Sequence, residues 1–405
     1  MNTKYKMLIF LLPLLLFILA LLLFSPAVIQ NNDSIVYGAD DQREAAHGMN
    51  FVTNPVTGKS YIFWSDQYDS GSDSDGNWTH DIYYQQISLE NPKISEKHVL
   101  ISAPEAQEPA SVSCTADGQF FVTFEDGNTN GYGGLSQRYA IFDKNMDPVK
   151  AYPQTVALGG HSGHGACTAD KIVAFWSNEW VDGGGVDNLG TGKDVCVTSM
   201  NYDGSNSRTL KLTKGKTREW WPIVTASKKN ALLVWQRYVK NQTYSNVCYT
   251  IYDPNTGKLN NRGIQALKSI KAKYYTYNAV YLKNLNRYVL NITTDKNKSI
   301  VLLLSSNGKI VYKKTGLPAF AREASPAILI RTGADTLCYP KSPSGATFLR
   351  VTKNGIKYVG SAKSSYKWGY RGTSGFYTEN GKTACFASLA KDRVVIRKFS
   401  SSTSH

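Results

Sequence analysis

The chain has 405 residues, 46 Lys and Arg against 31 Asp and Glu, six cysteines and a formal charge of +15. That excess points to an anionic partner, but no helix-turn-helix or zinc-finger module is present and no Cys/His set has zinc-ligand spacing, which sets nucleic acid and structural zinc aside. The charge is also divided, since residues 1–202 hold 11 basic against 23 acidic side chains and residues 203–405 hold 35 against 8.

At the N-terminus, Lys4 and Lys6 precede an apolar run, residues 7–24, interrupted only by Pro13, and Ser25, Pro26 and Ala27 follow as small residues at a cleavage position. Residues 1–27 therefore read as a signal peptide or an uncleaved N-terminal membrane anchor; the run is long for the first and short for the second. The lysines hold the N-terminus inside, so the remainder is expected outside the cytoplasm, secreted or tethered.

From there the chain rewrites one pattern. In residues 218–237 (REWWPIVTASKKNALLVWQR) a short apolar run, a polar turn and a second apolar run ending in Trp235 describe two strands, and a third follows at 246–252 before the turn DPNTG. The aromatic end of the second strand recurs as YIFWSD, FFVTFED, IVAFWSN and ALLVWQR. Anchors at Trp64, Phe124, Trp176, Trp235, Asn291, Tyr339 and Phe386 give spacings of 60, 52, 59, 56, 48 and 47. Third strands starting at Asp81, Asp194 and Asn246 occupy matching places. Seven four-stranded units at this period predict an all-β, seven-bladed β-propeller as a single domain over 28–399, with a disordered tail at 400–405. The last unit offers strands near Gly375, Thr383 and Val394 but no fourth, and residues 33–37 (DSIVY) precede the first unit with no other use. They are expected to pair with 393–399 as the closing strand, removing an exposed edge.

The cysteines fall at equivalent repeat positions (Cys114 with Cys167, Cys196 with Cys248, Cys338 with Cys385), which point the same way round a ring, so they read as small buried hydrophobes and not as disulfides.

Loops entering the inner strands of a propeller share one face around its channel. They bring Arg43, Glu44, Glu108, His161, His164, Arg218, Glu219, Trp220, Tyr275, Arg322, Glu323, Trp368 and Arg371 to that face. Arginine forks bind carboxylates or sulfates at two points and aromatic faces stack on sugar rings. The expected ligand is therefore an acidic extracellular glycan or wall polymer, held by Arg43, Glu44, Glu108, Arg218, Trp220, Tyr275, Arg322, Trp368 and Arg371. Two alternatives stay open. A glycan-degrading enzyme would use the same face: a lyase with Arg218 or Arg322 beside His161, His164 or Tyr275, or a hydrolase with two facing carboxylates among Glu44, Glu108, Glu219 and Glu323. A protein-interaction scaffold would use the long loops at 65–80, 125–134 and 177–193, with Tyr68, Trp78, Tyr132 and Trp180 as anchors. Asp73, Asp75 and Asn77 with Gly76 form part of a calcium loop, but the helix-flanked spacing and terminal glutamate are missing, so no cofactor is expected beyond this partial calcium set.

The pattern FWSDQYD from Phe63 followed by DIYYQQI from Asp81 resembles the repeats of exported bacterial propeller proteins of the broad sialidase-like superfamily. The resemblance implies architecture and compartment. It does not carry over activity, because SDSDGNW at 72–78 is out of register with the Asp-box and the arginine-proline motif ahead of the inner strand is missing.

Overall fold

The computed structural model describes residues 31–32, 47–66, 80–88, 96–128, 134–183, 190–320, 326–342, 344–367, 374–379, 383–390 and 393–399. Among them every element is a β-strand, without a helix.

The strands form six antiparallel sheets. The first three each hold four strands in chain order: His47–Thr53, Ser60–Asp66, Asp81–Ile87 and His98–Ile101; then Gln107–Cys114, Phe120–Asp126, Ser136–Phe142 and Pro148–Leu158; then Gly160–Cys167, Ile172–Asp182, Gly190–Met200 and Arg208–Lys211. An eight-stranded sheet runs through Glu219–Ala226, Ala231–Tyr238, Ser245–Asp253, Gln265–Leu282, Arg287–Thr294, Lys298–Ser305 and Ile310–Pro318, with Lys258–Leu259 beside the third of these. Ala327–Arg331, Ala334–Pro340, Ser344–Val351 and Ile356–Lys367 make the next sheet. Ser374–Glu379, Thr383–Ala390, Arg393–Phe399 and Asn31–Asn32 make the last. Repeats one to three of the sequence are thus the first three sheets, and repeats six and seven the last two. Repeats four and five share the eight-stranded sheet because Gln265–Leu282 serves both. Its first part pairs with Ser245–Asp253 and its second with Arg287–Thr294, the register breaking between Ala272 and Tyr277.

Second strands are apolar without alternation because both of their faces are covered. In Phe120–Asp126, Phe120, Val122 and Phe124 pack on Tyr61, Phe63 and Ile82 of the preceding sheet, whereas Phe121 packs on Ile172, Ala174 and Trp176 of the following one. Val173 and Phe175 in turn meet Leu233 and Trp235, Leu232 and Val234 meet Tyr288 and Leu290, and Val289 meets Leu337 and Tyr339. Side-chain parity along a strand assigns alternate residues to alternate neighbours.

The same parity corrects one anchor. Phe124, Trp176, Trp235 and Tyr339 all face the preceding sheet, whereas Asn291 lies in a small cavity with Val289, Phe320, Leu337 and Tyr339, on the side of the following one. Ile292 is the fifth-repeat residue that packs back on the fourth. A shift of one residue turns a strand's side chains to the other face, and spacing alone does not detect it.

The last sheet takes a strand from the N-terminus on Arg393–Phe399, as expected, but through Asn31 opposite Phe399 and Asn32 opposite Lys398. The segment 33–37 lies outside the described residues. Cys114, Cys167, Cys196 and Cys248 are free thiols, and burial pushes each of them up to about 12.

Trp235 is fully buried, edge-on to Phe175 at 5.8 Å, and donates its indole N–H to Glu219. Trp235→Ala should cost about 3–5 kcal/mol, read as a lower urea midpoint at unchanged slope; a loss under about 1 kcal/mol would show that the between-sheet layer does not carry the fold.

Candidate functional site

Each described inner strand of the first four repeats carries one extra residue near its start. The ladder pairs His47 with Ser65 and then Asn50 with Phe63, Glu108 with Glu125 then Ser111 with Thr123, His161 with Ser177 then His164 with Phe175, and Trp220 with Gln236 then Ile223 with Val234. The bulge stands opposite the aromatic anchor and turns backbone groups out of their own ladder. Ser162 and Trp221 take positive φ there, at 54° and 53°, and so does Tyr275, at 56°, in the irregular stretch between Ala272 and Tyr277 of the fifth repeat.

Those groups are satisfied across repeats. The Ala110 N–H donates to Ser65 Oγ (2.9 Å), the Ser162 N–H to Glu125 Oε1 (2.6 Å) and the Tyr275 N–H to Gln236 Oε1 (3.0 Å). Ser65, Glu125 and Gln236 each directly follow an aromatic anchor, so one repeat position supplies an acceptor oxygen to the next inner strand. A second joint links inner strand to inner strand. Asn50 Nδ2 donates to the Ala110 carbonyl (2.7 Å), Ser111 Oγ accepts from the Gly165 N–H (3.0 Å), and His164 Nδ1 reaches the Pro222 carbonyl (2.8 Å). A carbonyl only accepts, so His164 carries its proton on Nδ1. The glycines on either side of His164 are needed for close approach: a Cβ at Gly163 would stand 2.5 Å from the Gln137 amide, and one at Gly165 2.6 Å from Phe121.

The predicted site residues take up these structural contacts. His161 is fully buried, its Nδ1 3.0 Å from Ser162 Oγ, with the half-exposed Trp180 edge-on at 5.1 Å; burial lowers its pKa to about 3. Burial also lowers His164, against the opposing effect of its backbone partners. Glu219 is saturated: Oε1 accepts from Thr217 Oγ1 and Arg237 Nε, both at 2.6 Å, and Oε2 from Trp235 Nε1 at 2.5 Å. Burial raises its pKa while these donors pull it down. Trp220 is buried and stacked on Tyr274 at 5.7 Å, and Tyr275 lies edge-on to Trp221 at 4.8 Å. The Arg218 guanidinium donates to the Val181 and Gly183 carbonyls of the extended third-sheet hairpin and lies 5.7 Å from the Tyr238 ring. Glu108 approaches His80 Nε2 at 3.5 Å, while its ladder partner Glu125 is bonded to Ser162 of the next sheet. His164, Trp221 and Tyr275 are brought into one chain of ring contacts across three repeats. Arg43, Glu44, Arg322, Glu323, Trp368, Arg371 and the calcium set Asp73, Asp75 and Asn77 lie outside the described residues. Among the described residues no group of three or more His, Cys, Asp or Glu could hold a metal ion.

Sequence reasoning missed Ser65, Glu125, Ser162, Gln236 and Arg237. The signal for three of them was available: a polar residue directly after an aromatic anchor in an otherwise apolar run.

No protein-family model and no curated protein matches the chain. Solved structures do. The WD40 domain of Toxoplasma gondii coronin matches at 11% identity and TM-score 0.52, over 92% of this chain and 85% of that one. BBS1N in complex with ARL6DN matches at 10% and 0.53, over 92% and 97%. The Hadza microbial sialidase Hz136 is similar at 10% and 0.46, over 90% and 67%. The chain is an all-β protein with a propeller-like fold. Its likeness to sialidases is one of fold alone.

In the folded state His161 stays neutral down to about pH 3, whereas the unfolded chain takes up this proton near 6.5. Its contribution is complete above that pH and declines on acidification, by about 1.4 kcal/mol per pH unit between the two values. Urea unfolding at several pH values should therefore show a shallower acid loss for His161→Gln than for the parent. Parallel curves would remove His161 from the acid response.

Proposed function

We propose that the chain is a seven-bladed β-propeller closed by its N-terminal strand, secreted or tethered by residues 1–27, which binds an acidic extracellular glycan or wall polymer. The seven-blade reading is supported by the change of partner within Gln265–Leu282, which divides the eight-stranded sheet into two four-stranded halves. Contact between His47–Thr53 and Ser374–Glu379, together with the pairing of Asn31–Asn32, supports closure. Asn32→Pro should then lower the melting temperature by several degrees and promote aggregation through the Arg393–Phe399 edge. An unchanged calorimetric transition would refute the closing role.

One observation carries the polymer reading: residues 254–378 contain 21 Lys and Arg against three acidic side chains, Asp295, Glu323 and Asp335. On Gln265–Leu282, Lys268, Lys271 and Lys273 are exposed, and Lys271 lies over the Tyr244 ring at 4.9 Å. Lysines beside an aromatic face suit a charged sugar polymer. The described carboxylates favour binding over hydrolysis, since Glu219 has three donors, and Glu108 and Glu125 are drawn to opposite neighbouring sheets instead of facing across one substrate. Arg218 is occupied by backbone carbonyls, which moves the contact from the channel to the lysines of the basic half.

Retention on immobilised polygalacturonate or dextran sulfate should fall as salt rises, and Lys268→Glu, Lys271→Glu and Lys273→Glu together should weaken it at least about tenfold. Retention indifferent to salt and to these changes would reject the reading. Release of an unsaturated product from a uronate polymer would replace it with a lyase.

A further inference from the structure

Exposed apolar side chains are not spread evenly over the outer strands. Pro148–Leu158 of the second sheet exposes Val149 and Leu158 singly, at opposite ends, as surface apolar residues commonly are. By contrast Ile310, Val311 and Tyr312 are exposed in succession on Ile310–Pro318, at 40%, 37% and 36%, and Tyr358 and Val359 on Ile356–Lys367, at 41% and 46%. These two outer strands touch each other. Lys309, Lys313, Lys353 and Lys357 are exposed around the five residues.

Successive strand residues turn to opposite faces, so these side chains line both flanks of the two outer edges, Tyr312 beside Leu303 and Ile310 beside Leu304, and the rim as a whole carries aliphatic side chains, two tyrosines and lysines. A hydrated anionic polymer would reward the lysines but not Ile310, Val311 or Val359. An anionic bilayer rewards all three kinds: lysines meet the phosphates, tyrosines sit at headgroup level, and aliphatic tips enter the acyl boundary. The path of the chain agrees. Asn31–Asn32 is the outermost strand of the last sheet, which packs on the sheet that ends in Ile356–Lys367. The apolar run 7–24 ends seven residues before Asn31, a reach of at most about 25 Å. If that run stays in the membrane, the outer edge of the last sheet is held at the bilayer and the neighbouring edges are brought beside it.

We propose that the outer strands of the fifth and sixth repeats, through Ile310, Val311, Tyr312, Tyr358 and Val359 with their lysine rim, dock the domain on an anionic lipid bilayer. The full chain, reconstituted in nanodiscs of phosphatidylcholine alone or mixed with phosphatidylglycerol, should show backbone hydrogen exchange at Ile310–Pro318 and Ile356–Lys367 slowed about tenfold in the anionic discs only. Exchange in the central strand Arg287–Thr294 should be equal in both and serves as the folding control. Lys313→Glu with Lys357→Glu, and separately Ile310→Ser with Val359→Ser, should each abolish the difference with that control unchanged. Equal exchange in the two discs would overturn the proposal, and so would protection that survives the serine changes. Dextran sulfate added to discs of phosphatidylcholine alone separates this surface from the polymer site: protection of the two outer strands by the polymer would overturn bilayer docking, whereas protection confined to Lys268–Lys273 supports two distinct surfaces.

Discussion

The described second strands of repeats one to six are buried on both faces, and the rest of the structure follows from that. A sheet that buries one face produces alternating strands; here Ile172 to Trp176 and Ala231 to Trp235 are apolar throughout, and Phe120 to Phe124 apart from Thr123, because odd and even residues serve different neighbours. Removing one such residue opens a gap between two repeats, not within one. Stability is therefore distributed along the series of interfaces between repeats, as in other repeat architectures.

Packing of this kind creates a polar difficulty at the inner ends of the strands. The bulge opposite each of the first four anchors turns N–H groups out of their own ladder, and a buried donor without a partner costs about 1–3 kcal/mol. Ser65, Glu125 and Gln236 solve the same problem with three different side chains, because the joint requires only an acceptor oxygen at the right height. Asn50, Ser111 and His164 show the same latitude in the second joint. Residues of types that often perform catalysis are held here by the mechanics of sheet assembly, and their low exposure and backbone partners distinguish them from reactive groups. Glu219 is the plainest example. A general acid or base must exchange its proton with substrate, yet this carboxylate is enclosed by an indole, a guanidinium and a hydroxyl of its own repeat.

The fold was legible because the repeat is written in large apolar residues whose spacing survives loop variation. The all-β class and the chain order of strands within sheets could be read from YIFWSD and its relatives; an N-terminal strand on the last sheet was expected from that unit's missing fourth strand but at 33–37, whereas the pairing found is that of Asn31–Asn32. Face assignment could not be read as securely. Asn291 fits the spacing but belongs to the wrong side of its strand, since an offset of one residue leaves the apolar pattern of RYVLNIT almost unchanged. Site residues were the least legible part. The side chains of Arg218, Trp220 and His161 are chemically equally suited to a ligand and to a neighbouring sheet, and only the positions of the Val181 carbonyl, the Tyr274 ring and Ser162 Oγ decide between the two. The polar residue after each anchor was visible but had no meaning until the bulge opposite it was known.

The uneven charge gains a structural sense from the same geometry. Inner and second strands have neighbours on every side, so net charge can accumulate only in loops and on outer strands, and the basic half places lysines in both. Edge lysines alone have a simple explanation, because a charge on an open strand discourages pairing with another molecule. That explanation predicts polar neighbours for the lysines. Ile310, Val311 and Val359 are the opposite: aliphatic side chains beside the charges weaken the protection that the charges provide, and a domain exposed only to water gains nothing from them. Under the bilayer proposal, a surface that keeps both meets a phase that is charged at its boundary and apolar just beneath. Under the proposed function, the lysines of Gln265–Leu282, of which Lys271 lies over the Tyr244 ring, meet a hydrated polyanion instead. One basic arc can thus hold two surfaces of different chemistry, separated by what lies between the lysines and not by the lysines themselves.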